Sequence, residues 1–285
     1  MTTAAALAVE TLHPLVRRLT APNPGPFTAT GTQTHIVGRG EVAVIDPGPD
    51  LPEHLAAILA ATEGERIVAI VCTHTHRDHS PAAAPLAAMT GAPVMGCAPV
   101  VAQGAGSGME ASFDASYAPD RIMAEGDTVS GEGWTLRAVA TPGHTSNHVC
   151  FELPQARALF TGDHVMGWST TVVIPPDGDM GAYMTSLEKL LARDDSVYFP
   201  AHGDPVTAPH RLVRGMLGHR RQREGQILRL LGDGPHSVSR MVAIMYAGLD
   251  PRLEKGAGAS VWSHLLDLQR RGRVAPEGDD WRLVA

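Results

Sequence analysis

Between residues 41 and 201 the sequence repeats one arrangement, a short run of apolar, β-branched or aromatic residues followed by a turn of Gly, Pro or Thr. EVAVID (41–46), RIVAIVC (66–72), TLRAVA (135–140), HVCFEL (148–153), RALFTG (157–162) and SVYFPA (196–201) each predict a strand. Two segments carry the helical period instead. LPEHLAAILAA places Leu55, Ile58 and Leu59 on one face after Pro52, and AYMTSLEKLLAR does the same with Tyr183, Leu187, Leu190 and Leu191. Ser80 before Pro81 predicts the N-cap and first turn of a third helix, SPAAAPLAAM, with Pro85 limiting its regularity. The stretch from Gly104 to Asp120 is rich in Gly, Ser and Ala and has no sustained period. It predicts a mobile surface loop in preference to a flap over a site.

After residue 209 the pattern changes. LVRGMLGHRRQREGQILRLL, SVSRMVAIMYAG and ASVWSHLLDLQRRG read as three helices, and RVAPEGDDWRLV as two short strands around a Gly-containing turn. Three helices followed by a hairpin predict a winged-helix module. Charge changes at the same place: residues 1–209 hold 10 basic against 22 acidic side chains, residues 210–285 hold 13 against 8. We therefore expect two domains, 1–209 and 210–285.

Composition adds exclusions. Hydrophobic residues make up 44% of the 285 and charged residues 19%, enough for a sizeable core. No apolar run reaches the roughly 18 residues of a membrane span. MTTAAALAVE lacks the basic flank and apolar stretch of a secretory signal, which points to the cytoplasm. Cys72, Cys97 and Cys150 are too few and too scattered for a disulfide framework and are expected as buried small apolar side chains.

The candidate chemistry lies at the strand ends. VAVIDPG ends on Asp46, IVAIVCTHTHRDH on His74, His76, Asp78 and His79, LRAVATPGH on His144, ALFTGD on Asp163 and VYFPAH on His202. Strand ends of a mixed sheet can gather along one edge, where loops have room for a site. Imidazole nitrogen and carboxylate oxygen suit divalent cations, and a carboxylate can join two of them. His74 and His76, two residues apart in an extended segment, can face the same way, with His144 as a third nitrogen. Asp78, His79 and His202 would hold a second ion, with Asp163 between the two. Two cations roughly 3.5–4 Å apart can hold a bridging hydroxide, lowering the pKa of bound water from about 15.7 towards about 7. The expected cofactors are thus two divalent ions, zinc first, with iron or manganese also compatible. Asp78 and Asp163 are the catalytic candidates.

H-x-H-x-D-H at 74–79, TPGHT at 141–145, TGD at 161–163 and PAHG at 200–203, in that order, resemble the metallo-β-lactamase superfamily. That resemblance implies a four-layer αβ/βα sandwich with the metals at one edge of two sheets. It also implies the ligand grouping above and, for Asp46, a role in orienting a ligand. NPGPFTATGTQTHIVG, THTHRDHS, GDHVMGWSTTVV and the basic tail together resemble the endoribonuclease-type branch typified by β-lactamase-like protein 2. Two departures stand out: Pro81 and Ala82 follow Ser80 where many relatives have Gly-Gly, and Ala201 stands where PGHG is usual. Neither removes a ligand.

Beside the ligands, His148 is as well suited to orienting a neighbour as to a structural place, and His164 reads as structural. Arg77 is expected to point away from the histidine face. His13, His35, His54, His210, His219, His236 and His264 are expected at surface or half-buried positions. Arg214, Arg220, Arg221, Arg223, Arg229, Arg270, Arg271 and Arg273 could follow a phosphate backbone, or line a solvated helix face or dimer contact. The resulting expectation is a dinuclear hydrolase cleaving single-stranded RNA, whose basic C-terminal domain can touch nucleic acid. The alternatives are a thioesterase of the glyoxalase II kind acting on a small-molecule ester or thioester, and a winged-helix binding protein without catalysis.

Overall fold

The computed structural model describes residues 8–100, 113–250 and 253–284. By its internal contacts the chain divides into two units. One comprises residues 1–140, 147–169 and 194–209, the other residues 141–146, 170–193 and 210–285.

The first unit is built on two sheets. The larger runs in chain order through β1 (Glu10–His13), β2 (Val16–Thr20), β3 (Gln33–Arg39), β4 (Glu41–Ile45), β5 (Arg66–Cys72), β6 (Val94–Gly96) and β7 (Arg121–Ile122). It is antiparallel from β1 to β4 and parallel from β4 to β7. Such a parallel centre is covered on both faces, which is why β4 and β5 read as nearly unbroken apolar runs. The smaller sheet has the order β12 (Val197–Pro200), β11 (Ala158–Gly162), β10 (Val149–Leu153), β9 (Trp134–Ala140), β8 (Thr128–Gly131), with only β11 and β12 parallel. One core joins them: Ile36, Val44 and Ile70 from the larger sheet and Leu136, Phe151, Phe160 and Phe199 from the smaller are buried together. Each such side chain contributes about 1.5–3 kcal/mol on burial.

Helix α1 (Pro52–Ala61) starts on its proline and adds Leu55 and Ile58 to this core. Helix α2 (Ala83–Thr90) begins later than the sequence predicts. Ser80 does not cap it, because its hydroxyl donates to Asp114 Oδ2 at 2.9 Å, and Ala82 occupies the N-cap with no side-chain hydrogen bond. The six predicted strands are all present, and β1, β2, β3, β6, β7 and β8 are additional. Strand β2 escaped notice because Arg17 and Arg18 are buried in it, held by Glu65 and Glu10 at 2.6 Å each.

In the second unit, α3 (Met180–Leu191) is capped by Asp179, whose Oδ1 accepts from the Ala182 N–H at 2.9 Å. Helices α4 (Pro209–Gly232), α5 (Val238–Met245) and α6 (Glu254–Arg270) follow, then the hairpin β13 (Val274–Glu277) and β14 (Asp280–Leu283). Ile227, Met241, Val261, Leu265, Leu268, Val274 and Trp281 form their shared apolar core. No described helix is long and apolar enough to cross a membrane.

Candidate metal centre

The strand-end residues do converge. His74, His76, His144 and Asp163 each offer a ligand atom within 4.8 Å of the others, and Asp78, His79 and His202 form a second group by the same measure. The first half comes from the loop after β5. Thr73, Thr75, His74, His79 and Ser80 are all buried there, so every polar atom needs a partner.

The partners assign the protons. Asp46, directly after β4 and at φ 47°, accepts the Thr73 backbone N–H on Oδ1 and the Thr73 hydroxyl on Oδ2, both at 2.8 Å. Having given its one proton to Asp46, Thr73 Oγ1 accepts from His74 Nδ1 at 3.0 Å, which leaves the lone pair on His74 Nε2. That atom lies 2.9 Å from His76 Nδ1. Asp46 Oδ2 also lies 3.1 Å from His79 Nδ1 and holds a proton there. His79 Nε2 is then a buried nitrogen with no hydrogen-bond partner among the described residues, 3.3 Å from Asp78 Oδ2 and 3.5 Å from Asp163 Oδ1.

The same logic holds for the other two rings. His202 Nδ1 faces the Gly31 carbonyl at 3.4 Å, and its Nε2 lies 3.2 Å from both Asp78 Oδ2 and Asp163 Oδ1. His144 Nδ1 donates to the Val172 carbonyl at 2.6 Å. Four imidazoles thus keep their protons on outer acceptors and turn their other nitrogen inward. That donor set fits a cation, since the buried His79 Nε2 would otherwise face carboxylates with only a lone pair. Without a cation, burial pushes the His79 and His202 pKa values down, but the carboxylates of Asp78 and Asp163 outweigh it and raise both.

The turns allow no bulk. At Gly162 (φ 49°) a Cβ would come within 2.7 Å of His148 Nε2 and Thr73 Oγ1. At Gly143 (φ 143°), one residue before His144, it would meet the Tyr183 backbone at 2.3 Å. His148 is buried and its Nε2 accepts from the Asp163 N–H at 3.3 Å, so it fixes the turn carrying that carboxylate. His164 is buried with its ring 5.7 Å from that of His148. Arg77 is exposed, its Nε donating to the Phe113 carbonyl at 3.2 Å.

Several expectations need correction. His35, His54, His236 and His264 are buried. His54 Nε2 finds Thr34 Oγ1 at 2.8 Å, and burial holds His35 near pKa 3 and His54 near 4. Of the stretch 104–120, residues 104–112 lie outside the described residues. The remainder is anchored: the Asp114 N–H donates to the Thr75 carbonyl at 2.7 Å, and the Phe113 ring lies 4.7 Å from that of His76. Thr73, Phe113 and Val172 were not singled out from sequence. Thr73, between a strand and the first ligand-type histidine, had a positional signal; the other two had none.

A mixed α/β sandwich with a His/Asp centre of this kind defines a metal-dependent hydrolase. The family model described as "Metallo-beta-lactamase superfamily" matches residues 29–202, and "Beta-lactamase associated winged helix domain" matches residues 237–281. The chain belongs to the metallo-beta-lactamase superfamily. It is 34% identical to an atrochrysone carboxyl ACP thioesterase of Emericella nidulans over 94% of this chain and 83% of that one. A β-lactamase domain protein from Burkholderia ambifaria has the same fold at TM-score 0.80, with 20% identity, covering 99% of this chain and 95% of the other. The protein TTHA1623, solved in a di-iron-bound form, has TM-score 0.54 and 29% identity over 68% of this chain and 96% of its own.

Proposed function

We propose that the chain hydrolyses a thioester with two divalent cations, one held by His74, His76 and His144 and one by Asp78, His79 and His202, with Asp163 between them. The observation that carries this reading is the set of imidazoles whose protons face outward, to Thr73, Asp46, Val172 and Gly31, with the inward nitrogens of His79 and His202 lying 3.2–3.5 Å from the carboxylates of Asp78 and Asp163. When bound, the cations supply Lewis acidity towards the carbonyl oxygen and a water of lowered pKa. Asp46 keeps the proton on His79 Nδ1 so that Nε2 stays available, and His148 holds the Asp163 turn. Asp78 and Asp163, the catalytic candidates, bring negative charge to the ring nitrogens of His79 and His202. In the reaction a C–O bond forms from water, the C–S bond breaks, and an acid and a thiol leave. All-nitrogen and oxygen ligation suits zinc, and equally iron or manganese.

The thioester is favoured by relatives named as acyl-carrier thioesterases at 33–34% identity. Cleavage of single-stranded RNA is the second reading, and its support is the basic tail. Five of the eight arginines counted there are already engaged within their own unit. Arg221 pairs with Glu188, Arg270 with Asp179, and Arg271 with Glu224 and Asp267. Arg220 donates to the Thr171 carbonyl, and Arg223 lies 4.5 Å from the Tyr246 ring centre. Of those eight, Arg214, Arg229 and Arg273 have no ion pair among the described residues, a weak electrostatic footprint for a phosphate backbone. In this reading residues 1–209 are the catalytic domain of a cytoplasmic enzyme and 210–285 an appended winged helix; the two matched family ranges lie on either side of residue 209.

Metal analysis of the purified chain, followed by assays on an acyl thioester, an ester, a lactam and a fluorogenic RNA oligomer, tests the proposal. Thioester turnover that is lost on chelation and restored by metal is expected. RNA cleavage with an inert thioester would move the assignment to the second reading, and a metal-loaded chain inert on all four would point to a binding protein.

A further inference from the structure

The segment NPGPFTATGT, residues 23–32, contributes no ligand to the proposed centre, yet it is tied down more tightly than a connection between β2 and β3 requires. Asn23 closes on Thr32 twice: its Oδ1 accepts the Thr32 backbone N–H at 2.9 Å and its Nδ2 donates to Thr32 Oγ1 at 3.0 Å. The Thr28 hydroxyl donates to the Asn23 carbonyl at 2.7 Å, and the Ala21 N–H to the Thr32 carbonyl at 2.8 Å. Gly31, at φ 135°, leaves no space, since a Cβ there would meet the Ala21 carbonyl oxygen at 2.0 Å. Thr32 itself is fully buried.

The single proton of the Thr32 hydroxyl goes to Asp78 Oδ2 at 2.9 Å, because the carboxylate can only accept and Asn23 Nδ2 can only donate. Asp78 Oδ2 is the same oxygen that lies 3.3 Å from His79 Nε2 and 3.2 Å from His202 Nε2. The Asp78 side chain is 26% exposed, the most open of this group of three, so its carboxylate gains most from a fixed hydrogen-bond donor. One residue earlier, the Gly31 carbonyl faces His202 Nδ1. The loop therefore touches two of the three members of one group and neither adds charge nor competes for a cation.

We propose that Thr32 is a positioning residue for the Asp78, His79 and His202 cation site, and that Asn23 holds Thr32 in the rotamer that serves it. The proposal rests on the metal reading above. Its chemistry is neutral hydrogen bonding to a ligand oxygen, which fixes carboxylate rotation and preorganises the site.

The test is competition of Zn2+ binding against a chromophoric chelator on the full chain, with Thr32→Val, Thr32→Ser and Asn23→Ala beside the wild type and thermal melts as a check on folding. Thr32→Val should weaken one metal equivalent about tenfold, within the range seen when outer partners of ligands are removed, and leave the other unchanged. Thr32→Ser should return to within about twofold of wild type, which a role in packing the Thr methyl would not produce. Asn23→Ala should fall between them at about threefold. Unchanged affinity and stoichiometry in Thr32→Val overturns the proposal. If that variant does not fold, unchanged affinity in a folded Asn23→Ala overturns it instead. A wild-type chain that binds no Zn2+ removes the metal reading first, a result distinct from equal binding by wild type and variant.

Discussion

The loops around His74 and His202 and the helices after Pro209 handle charge in opposite ways. In the first, Asp46, His74, His79, Asp163 and His202 are all buried, with donors and acceptors matched around the rim and the His79 Nε2 turned inward towards Asp78 and Asp163. In the second, the core of Ile227, Leu265 and Trp281 is apolar, and Arg221, Arg270, Arg271 and Arg282 pair with carboxylates near the surface. Buried charge is costly unless something repays it, whereas exposed pairs are worth little. A region that turns a buried ring nitrogen towards carboxylates is organised around a ligand; a region with an apolar core and ion pairs near its surface is organised to fold.

That contrast can be broken by substitution. Asp163→Ala removes the carboxylate shared by His79 and His202 and should lower thioester turnover about a thousandfold, in line with several kcal/mol of lost stabilisation, together with metal content. Unchanged metal content and turnover would mean that Asp163 is not where the two groups join. Leu265→Ala, in the apolar core, should cost about 2–5 kcal/mol in a denaturant melt and leave the affinity for Zn2+ intact in the folded fraction. A loss of affinity there would show that the two regions are not as separate in purpose as their chemistry indicates.

Asp46→Ala should weaken Zn2+ binding about 10–100-fold, because His79 and Thr73 lose their shared acceptor. The pH dependence of stability sharpens the comparison from both sides. His35 and His264 are held near pKa 3 and His54 near 4, chiefly by burial. The unfolded chain takes these protons near pH 6.5 and the folded chain does not, so stability is full above that value and falls as pH drops from about 6.5 towards 3–4. Each group adds a slope of about 1.4 kcal/mol per pH unit. His264→Phe should flatten the acid limb of the melt by one such group; an unaltered slope would refute its buried neutral state. The smallest effect belongs to Arg221→Gln, where breaking the exposed pair with Glu188 should cost less than about 1 kcal/mol, and no RNA binding is expected of either wild type or variant. RNA binding that falls with this variant would restore the nucleic-acid reading.

How far the chain could be read in advance varies with where polar residues sit. Strands β4, β5, β9, β10, β11 and β12 were legible because their cores are apolar and their ends carry turn residues. Strands β2 and β3 were not, since Arg17, Arg18, Gln33, Thr34 and His35 are polar side chains buried through long-range partners. Ser80 shows the same limit on a smaller scale. Its sequence context predicts a helix cap, and the cap was lost to Asp114, thirty-four residues away. All seven ligand-type residues were legible, because the alternation of apolar run and His or Asp turn is a property of the sequence itself.

The sequence alone determined the strand-turn rhythm, the set of His and Asp residues at the turns and the change of character near residue 209, because periodicity and residue type are local. Only the tertiary structure decided which nitrogen of each histidine carries the proton. Those protons are set by Asp46, Val172 and Gly31, brought to His79, His144 and His202 from other parts of the chain, and by Thr73, whose own hydroxyl proton is taken by the distant Asp46. The tertiary structure also decided which arginines of the basic tail are paired, Arg221, Arg270, Arg271 and Arg282 among them, since an arginine's partner is chosen by proximity in space and leaves no mark in its own segment.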